Sequence, residues 1–178
     1  ALKRVEVDTG VTSVITNAIV GYRRGAWGAD DSIVVATEHV ILRFSANGGD
    51  GVPITTVDES LGEICHSAPS FLPDGRLLVT EQTSGRIRVV IEGHPTAGTA
   101  GTVDSLLTAT EAGLIGIAID PGWPARPYVY VTATRTNKVQ LLRYTATGDL
   151  AFTNTGALTL GSRYTILSVP NLSPRHQG

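Results

Sequence analysis

Methionine is absent from the 178 residues and cysteine occurs once, at Cys65. No internal disulfide can therefore form, and cysteine usage leaves the redox compartment open. Charged residues make up only 17% of the chain, with a formal net charge of −2. That balance lacks the basic surface needed to neutralise a phosphate backbone, so nucleic acid is excluded as the main partner. Aromatic residues are equally sparse, at 6%. No apolar run approaches the ~18 residues a spanning helix needs, and none is expected to cross a membrane. A charged segment leading into an apolar one is missing at the start, so Ala1 reads as a processed or trimmed end. Neither a dinucleotide fingerprint, a phosphate loop nor a nucleophile elbow occurs, which removes three large enzyme classes.

What is present is turn chemistry and short apolar runs. Twenty Gly and nine Pro accompany a hydrophobic fraction of 42%, the composition of a turn-rich β protein with a real core. The clearest stretch follows Ser67. Phe71 leads into Leu72-Pro73-Asp74-Gly75, a tight turn in which Pro fixes φ and Gly accepts positive φ. Arg76 to Thr80 then reads as a strand, Thr83-Ser84-Gly85 as a turn, and Arg86 to Val90 as a second strand with both arginines on one face.

This unit recurs. Trp27 to Val35 matches Phe71 to Val79 position by position at a spacing of 44 residues. Downstream, Ile119-Asp120-Pro121 opens a longer turn ending at Tyr128 to Val131, so the third copy carries an insertion. The next strands correspond as well, Leu42-Arg43-Phe44 with Leu142-Arg143-Tyr144. Repeats of about 40–50 residues built from short strands are the signature of β-propeller blades. The expectation is an all-β fold, one partial β-propeller domain over 1–178, with about three four-stranded antiparallel blades near 24–60, 61–110 and 111–160. Their central strands, Ile33–Val35, Leu77–Val79 and Val129–Val131, should be buried. Val5 to Val20 reads as one or two strands ahead of the first blade, Ala97 to Gly101 as a loop of small residues, and Tyr164 to Val169 as a strand following the third. Propellers have four to eight blades, so this ring does not close. Either the chain belongs to a longer propeller, or copies associate to complete the ring.

From Ala68 onward the sequence resembles the glucose/sorbosone dehydrogenase family, six-bladed propellers that oxidise sugars with pyrroloquinoline quinone (PQQ) and calcium. The resemblance is carried by Phe71 to Glu81 with Gly85-Arg86-Ile87, by Glu111 to Pro121, by Pro127 to Val131, and by His176-Gln177-Gly178, in matching order and spacing. Gly25 to Asp74 also resembles the propeller repeats of Tol-type and kinase-associated periplasmic or extracellular domains, through Ala26–Thr37 and Gly62–Gly75.

The family resemblance implies His176 as the catalytic base, taking the proton of an aldose hydroxyl while hydride passes to the quinone, a role suited to imidazole. It implies Glu111 as a residue bordering the sugar pocket. Read without it, His176 is a solvated loop histidine and Glu111 a turn carboxylate. In the family the residues that hold PQQ and calcium lie in later blades; this chain has nothing corresponding, so no cofactor or metal ligand is assigned within it. A secreted or periplasmic location is implied too. The alternative is a non-enzymatic module that binds carbohydrate or a protein partner on its loops, assembled from half-propellers. Other candidates are structural: Cys65-His66 lacks a second ligand pair, Asp30, Asp74 and Asp120 fit turns in which Asp bonds the backbone two residues on, and Gly48-Gly49-Asp50-Gly51 has one carboxylate and precedes no helix.

Overall fold

The computed structural model describes residues 1–17, 21, 24–37, 40–57, 66–108 and 112–170. Every regular element among them is a strand. A hairpin of β1 (Leu2–Val5) and β2 (Thr12–Thr16) comes first. Three antiparallel sheets follow. The first is β3 (Arg24–Trp27), β4 (Ser32–Ala36), β5 (Val40–Ser45) and β6 (Val52–Thr56), in that spatial order. The second places β7 (His66–Phe71), β8 (Leu77–Glu81), β9 (Arg86–Ile91) and β10 (His94–Pro95) side by side, with β11 (Gly101–Thr102) also on β9. The third is β12 (Leu114–Ile119), β13 (Tyr128–Arg135), β14 (Lys138–Gly148) and β15 (Leu158–Pro170).

Local chemistry accounts for these elements. Ser32–Ala36 and Leu77–Glu81 are β-branched and apolar runs launched from Asp-containing turns, and both are buried along their whole length. In all three sheets the turn aspartate bonds the backbone two residues on: Ser32 N donates to Asp30 at 3.2 Å, Arg76 N to Asp74 at 3.0 Å and Gly122 N to Asp120 at 2.8 Å. The repeat seen in sequence is also a repeat of register, since Ile33 pairs with Phe44 as Val129 pairs with Tyr144.

The sheets stack face to face. Val34, Ala36 and Ile41 of the first meet Leu77, Val79 and Val90 of the second. The second sheet's other face, with Leu78, Ile87 and Val89, meets Val129, Val131, Ala133, Leu142, Tyr144 and Ala146 of the third. Each buried Val, Leu or Ile among them stabilises the fold by about 1.5–3 kcal/mol relative to exposure. The hairpin lies on the first sheet's free face, where Ile15 and Leu2 pack against Ile33, Val35, Leu42 and Phe44.

Three details differ from the expectation. The small-residue loop Ala97–Gly101 ends in β11, so the second sheet's outermost position is shared by two short strands, β10 carrying Pro95 and β11 lying beyond Gly98, whose φ is +95°. Tyr164–Val169 does not follow the third sheet but continues its fourth strand to Pro170, opposite Lys138. Tyr130, between buried Val129 and Val131, is only half-buried because strand alternation turns it to the opposite face.

Two ends can be distinguished. The innermost strands run alongside one another: Ser67 Oγ donates to Leu114 O at 3.0 Å near the starts of β7 and β12, and an added Cβ on Gly28 would lie 3.2 Å from the Phe71 ring near the ends of β3 and β7. At the lower end, where first and second strands join, Asp149 organises the β14–β15 connection. Its carboxylate accepts from the backbone N–H of Thr153, Asn154 and Gly156 at 2.8, 2.8 and 2.9 Å. Those donors, Thr153 N first, lower its pKa from 3.8 to about 2. The folded value is depressed, so the stabilisation is complete above the unfolded value of ~3.9 and is lost as pH falls through about 2. Amide exchange in 153–156 should rise across that window in the wild type. In Asp149→Asn it should already be fast at neutral pH, and equal protection in the two proteins would contradict the role given to the carboxylate.

Candidate functional site

The upper end, where β7 and β12 begin and β8 turns into β9, concentrates the buried polar groups. β8 delivers Thr80 and Glu81, both almost fully buried, and Gln82 follows in the turn. Ser67 Oγ lies 3.0 Å from Thr80 Oγ1 while donating to Leu114 O, which ties β7 to both neighbours. His66 is buried, with Nδ1 3.0 Å from Thr55 Oγ1, and the same hydroxyl accepts from Ile41 N at 3.0 Å. That is a bridge between the first two sheets, consistent with the packing role expected for it. Cys65 lies outside the described residues.

Glu81 is the charged centre of this end. Arg88 Nε donates to its Oε1 at 2.8 Å, Arg86 Nη1 stands 3.8 Å from Oε2, and the Ser84 hydroxyl donates to Oε2. The two arginines expected on one face of β9 thus converge on one buried carboxylate. Farther out, Asp104 takes Arg135 at 3.3 Å and Arg163 at 3.2 Å. The hydrogen bond from Arg135, ahead of the Coulombic pull of both arginines, holds the Asp104 carboxyl below its ordinary range.

Ala112–Leu114 enters the third sheet under tight restraint. Gln82 Nε2 donates to Ala112 O at 2.8 Å, Leu114 N to Gln82 O at 2.9 Å, and Thr134 N to Gly113 O at 2.8 Å. Gly113 has φ of +123°, and a Cβ there would lie 2.2 Å from Gln82 O. Glycine is required by conformation and by space together. Gly113→Ala is expected to destabilise the protein by roughly 2–3 kcal/mol, read as a lower denaturant midpoint; an unchanged midpoint would refute the close approach.

Of the residues singled out by sequence, Glu111 and His176 lie outside the described residues. The described chain resumes at Ala112, at the upper end, and β15 finishes at Pro170 opposite Lys138, at that same end. Sequence reading missed Gln82, Ser67 and Thr80, whose partners lie 12 to 47 residues away. Glu81 was more accessible, as an acid ending a strand whose hairpin partner carries two arginines.

A profile of the family described as Glucose / Sorbosone dehydrogenase matches residues 67–168, more than half of the chain. The chain belongs to that family. No curated protein matches the sequence. Among solved structures, it is similar to a Thermus thermophilus protein described as an oxidoreductase (glucose dehydrogenase), with 30% identity over 61% of this chain and 30% of that one, at a TM-score of 0.49. The PQQ-bound aldose sugar dehydrogenase of Streptomyces coelicolor is 24% identical over 58% of this chain and 30% of that one, at 0.48. The chain therefore covers 30% of the length of each of these two proteins. A broader likeness joins it to a chain of a nidogen/laminin complex, with a TM-score of 0.68 and 15% identity over 93% of this chain and 57% of that one. At that identity the likeness concerns the fold, which is that of a β-propeller.

PQQ is a tricarboxylate and needs cationic partners; calcium needs clustered oxygen ligands. At the upper end Arg86, Arg88, Arg135 and Arg163 each already face a carboxylate of the chain. Among the described residues no three His, Cys, Asp or Glu side chains converge as metal ligands. Among the described residues these four arginines are therefore engaged within the chain, and no calcium site is formed.

Proposed function

We propose that this chain is part of a sugar dehydrogenase that uses PQQ, and that its upper end borders the site where an aldose hydroxyl is oxidised. Bound PQQ would be the hydride acceptor, held with calcium by residues outside this chain. His176 would take the hydroxyl proton, and Glu111 would stand at the pocket rim. The observation that carries this reading is the family match over 67–168, which takes in the upper-end segments of the second and third sheets.

Chain length allows Glu111 and His176 to serve one pocket. The chain leaves β15 at the outer edge of the third sheet, three strand spacings or about 14 Å from β12. His176 stands six positions after Pro170, and six extended residues reach about 20 Å. The segment is long enough to return to the innermost strand, beside which Ala112 is clamped. The same reading puts the protein in the periplasm or outside the cell, on the strength of the family alone.

The test is dye-linked oxidation of a panel of aldoses by the complete gene product reconstituted with PQQ and calcium. Reduction of dye by at least one aldose, dependent on both additions, is expected. If no sugar reduces dye, the enzyme reading gives way to a propeller module that binds carbohydrate or protein.

A further inference from the structure

At the lower end a recess of about 270 Å³ lies between the first and second sheets. That is just under the ~300–1,000 Å³ of pockets for drug-sized ligands, so it has room for one small ring. Both sheets supply apolar walls, Val34 and Ile54 on one side and Phe71 and Val90 on the other. The third sheet closes the recess, because its β14–β15 loop reaches Arg76 and sets Phe152 in the wall. Three consecutive sheets thus shape it, through contacts made within this chain.

Phe152 has φ of +53°, a costly conformation for a bulky side chain. Its ring centroid is held 5.0 Å from the Arg76 guanidinium, yet the residue stays 37% exposed. An aromatic kept at that cost beside a cavity is the kind of group on which a ligand ring lies.

Arg43 and Glu92 stand in the same lining. Arg43 gives Nη2 to Asp30 at 2.6 Å, while its Nε and Nη1 have no acceptor among the described residues. Glu92, in the β9–β10 turn, is exposed and its carboxylate has no partner among them. The other charges pair off, Asp30 with Arg43 and Asp74 with Arg76. What remains is one set of free donors and one free carboxylate. An anion would face Glu92 and a cation would face Arg43, whereas a neutral ring bearing hydroxyls can accept from the one and donate to the other.

We propose that this recess binds a neutral saccharide, one pyranose ring lying against Phe152 with its hydroxyls accepting from Arg43 and donating to Glu92. Beyond Arg43 the recess opens outward past Asn47 and Asp50, so the ring can be one unit of a longer glycan. The site is at the end opposite the proposed oxidation chemistry and independent of it: a negative dye assay leaves it standing, and a positive one does not establish it.

The probes are methyl β-glucoside and methyl β-galactoside, which keep the ring and lack the anomeric hydroxyl. They are titrated into the isotope-labelled complete gene product and followed by amide NMR shifts. At least one should move the amides of Gly75, Gly93 and Phe152 along a single saturation curve. Phe152→Ala and Arg43→Met should each raise Kd about tenfold or more. Arg43 has a side chain 51% exposed, so its variant keeps the test decisive if Phe152→Ala fails to fold. Glucuronate and the glucosamine cation should bind more weakly than the neutral glycosides. Failure of both glycosides to move the lower-end amides would overturn the proposal, as would shifts confined to the upper end around Gln82 and Gly113. An unchanged Kd in Arg43→Met would overturn it too, and tighter binding of either charged sugar would overturn the ligand class.

Discussion

Arg76→Ala is expected to cost about 3–5 kcal/mol of stability, the range for breaking a buried charge pair by removing one partner. The Arg76 side chain is fully buried, and Asp74, its ion-pair partner at 2.6 Å, is 19% exposed. Beyond that pair the guanidinium ties two sheets together. Nη1 donates to Asp149 O and Gly156 O, both at 2.8 Å, and Nη2 to Leu150 O at 3.1 Å. The Phe152 ring lies 5.0 Å away. Alanine would leave three carbonyls and a carboxylate without these donors, and a cavity where the side chain had filled the gap between the β7–β8 turn and the β14–β15 loop. Arg76→Lys should recover only part of the loss, because a point charge cannot address acceptors on opposite sides of a planar fork. Chemical denaturation gives the answer: a loss below ~1 kcal/mol, the size of a surface pair, would contradict this account of the inter-sheet tie.

In the PQQ-loaded gene product, His176→Ala is expected to lower kcat/KM for an aldose by about 10²- to 10⁴-fold, the contribution of a positioned general base. The loss should carry a signature. A neutral imidazole accepts the hydroxyl proton, so wild-type activity falls as acid protonates the base, and that acid limb should vanish from the residual activity of the variant. Glu111→Gln, at a pocket rim, should raise KM with little change in kcat, as loss of uniform binding does. An unaltered pH profile in His176→Ala would remove His176 from the chemistry even if activity fell.

Features encoded locally were legible in the sequence. The Pro73-Asp74-Gly75 turn, the branched runs after Asp31 and Asp74, and the equivalence of Phe44 with Tyr144 are statements about neighbours, and the sheets reproduce them. Long-range partners were not legible. Arg76 begins a strand in sequence, yet its carbonyl acceptors lie 73 to 80 residues away. No pattern in Leu2–Val5 indicates that it covers Ile33 and Phe44. Gln82 reads as an ordinary turn residue until the third sheet brings Ala112 and Leu114 against it. The split outer position of the second sheet was hidden because two-residue strands such as β10 and β11 are too short to show alternation.

The proposed chemistry is tested most directly by an anaerobic single-turnover experiment on the complete gene product loaded with PQQ and calcium and freed of excess cofactor. Addition of an aldose should convert the quinone absorbance to that of the reduced form within one turnover, with His176→Ala retaining the bound quinone but reducing it far more slowly. Protein that emerges from desalting without PQQ, or that keeps its quinone oxidised in the presence of every aldose tried, would contradict the assignment to sugar oxidation.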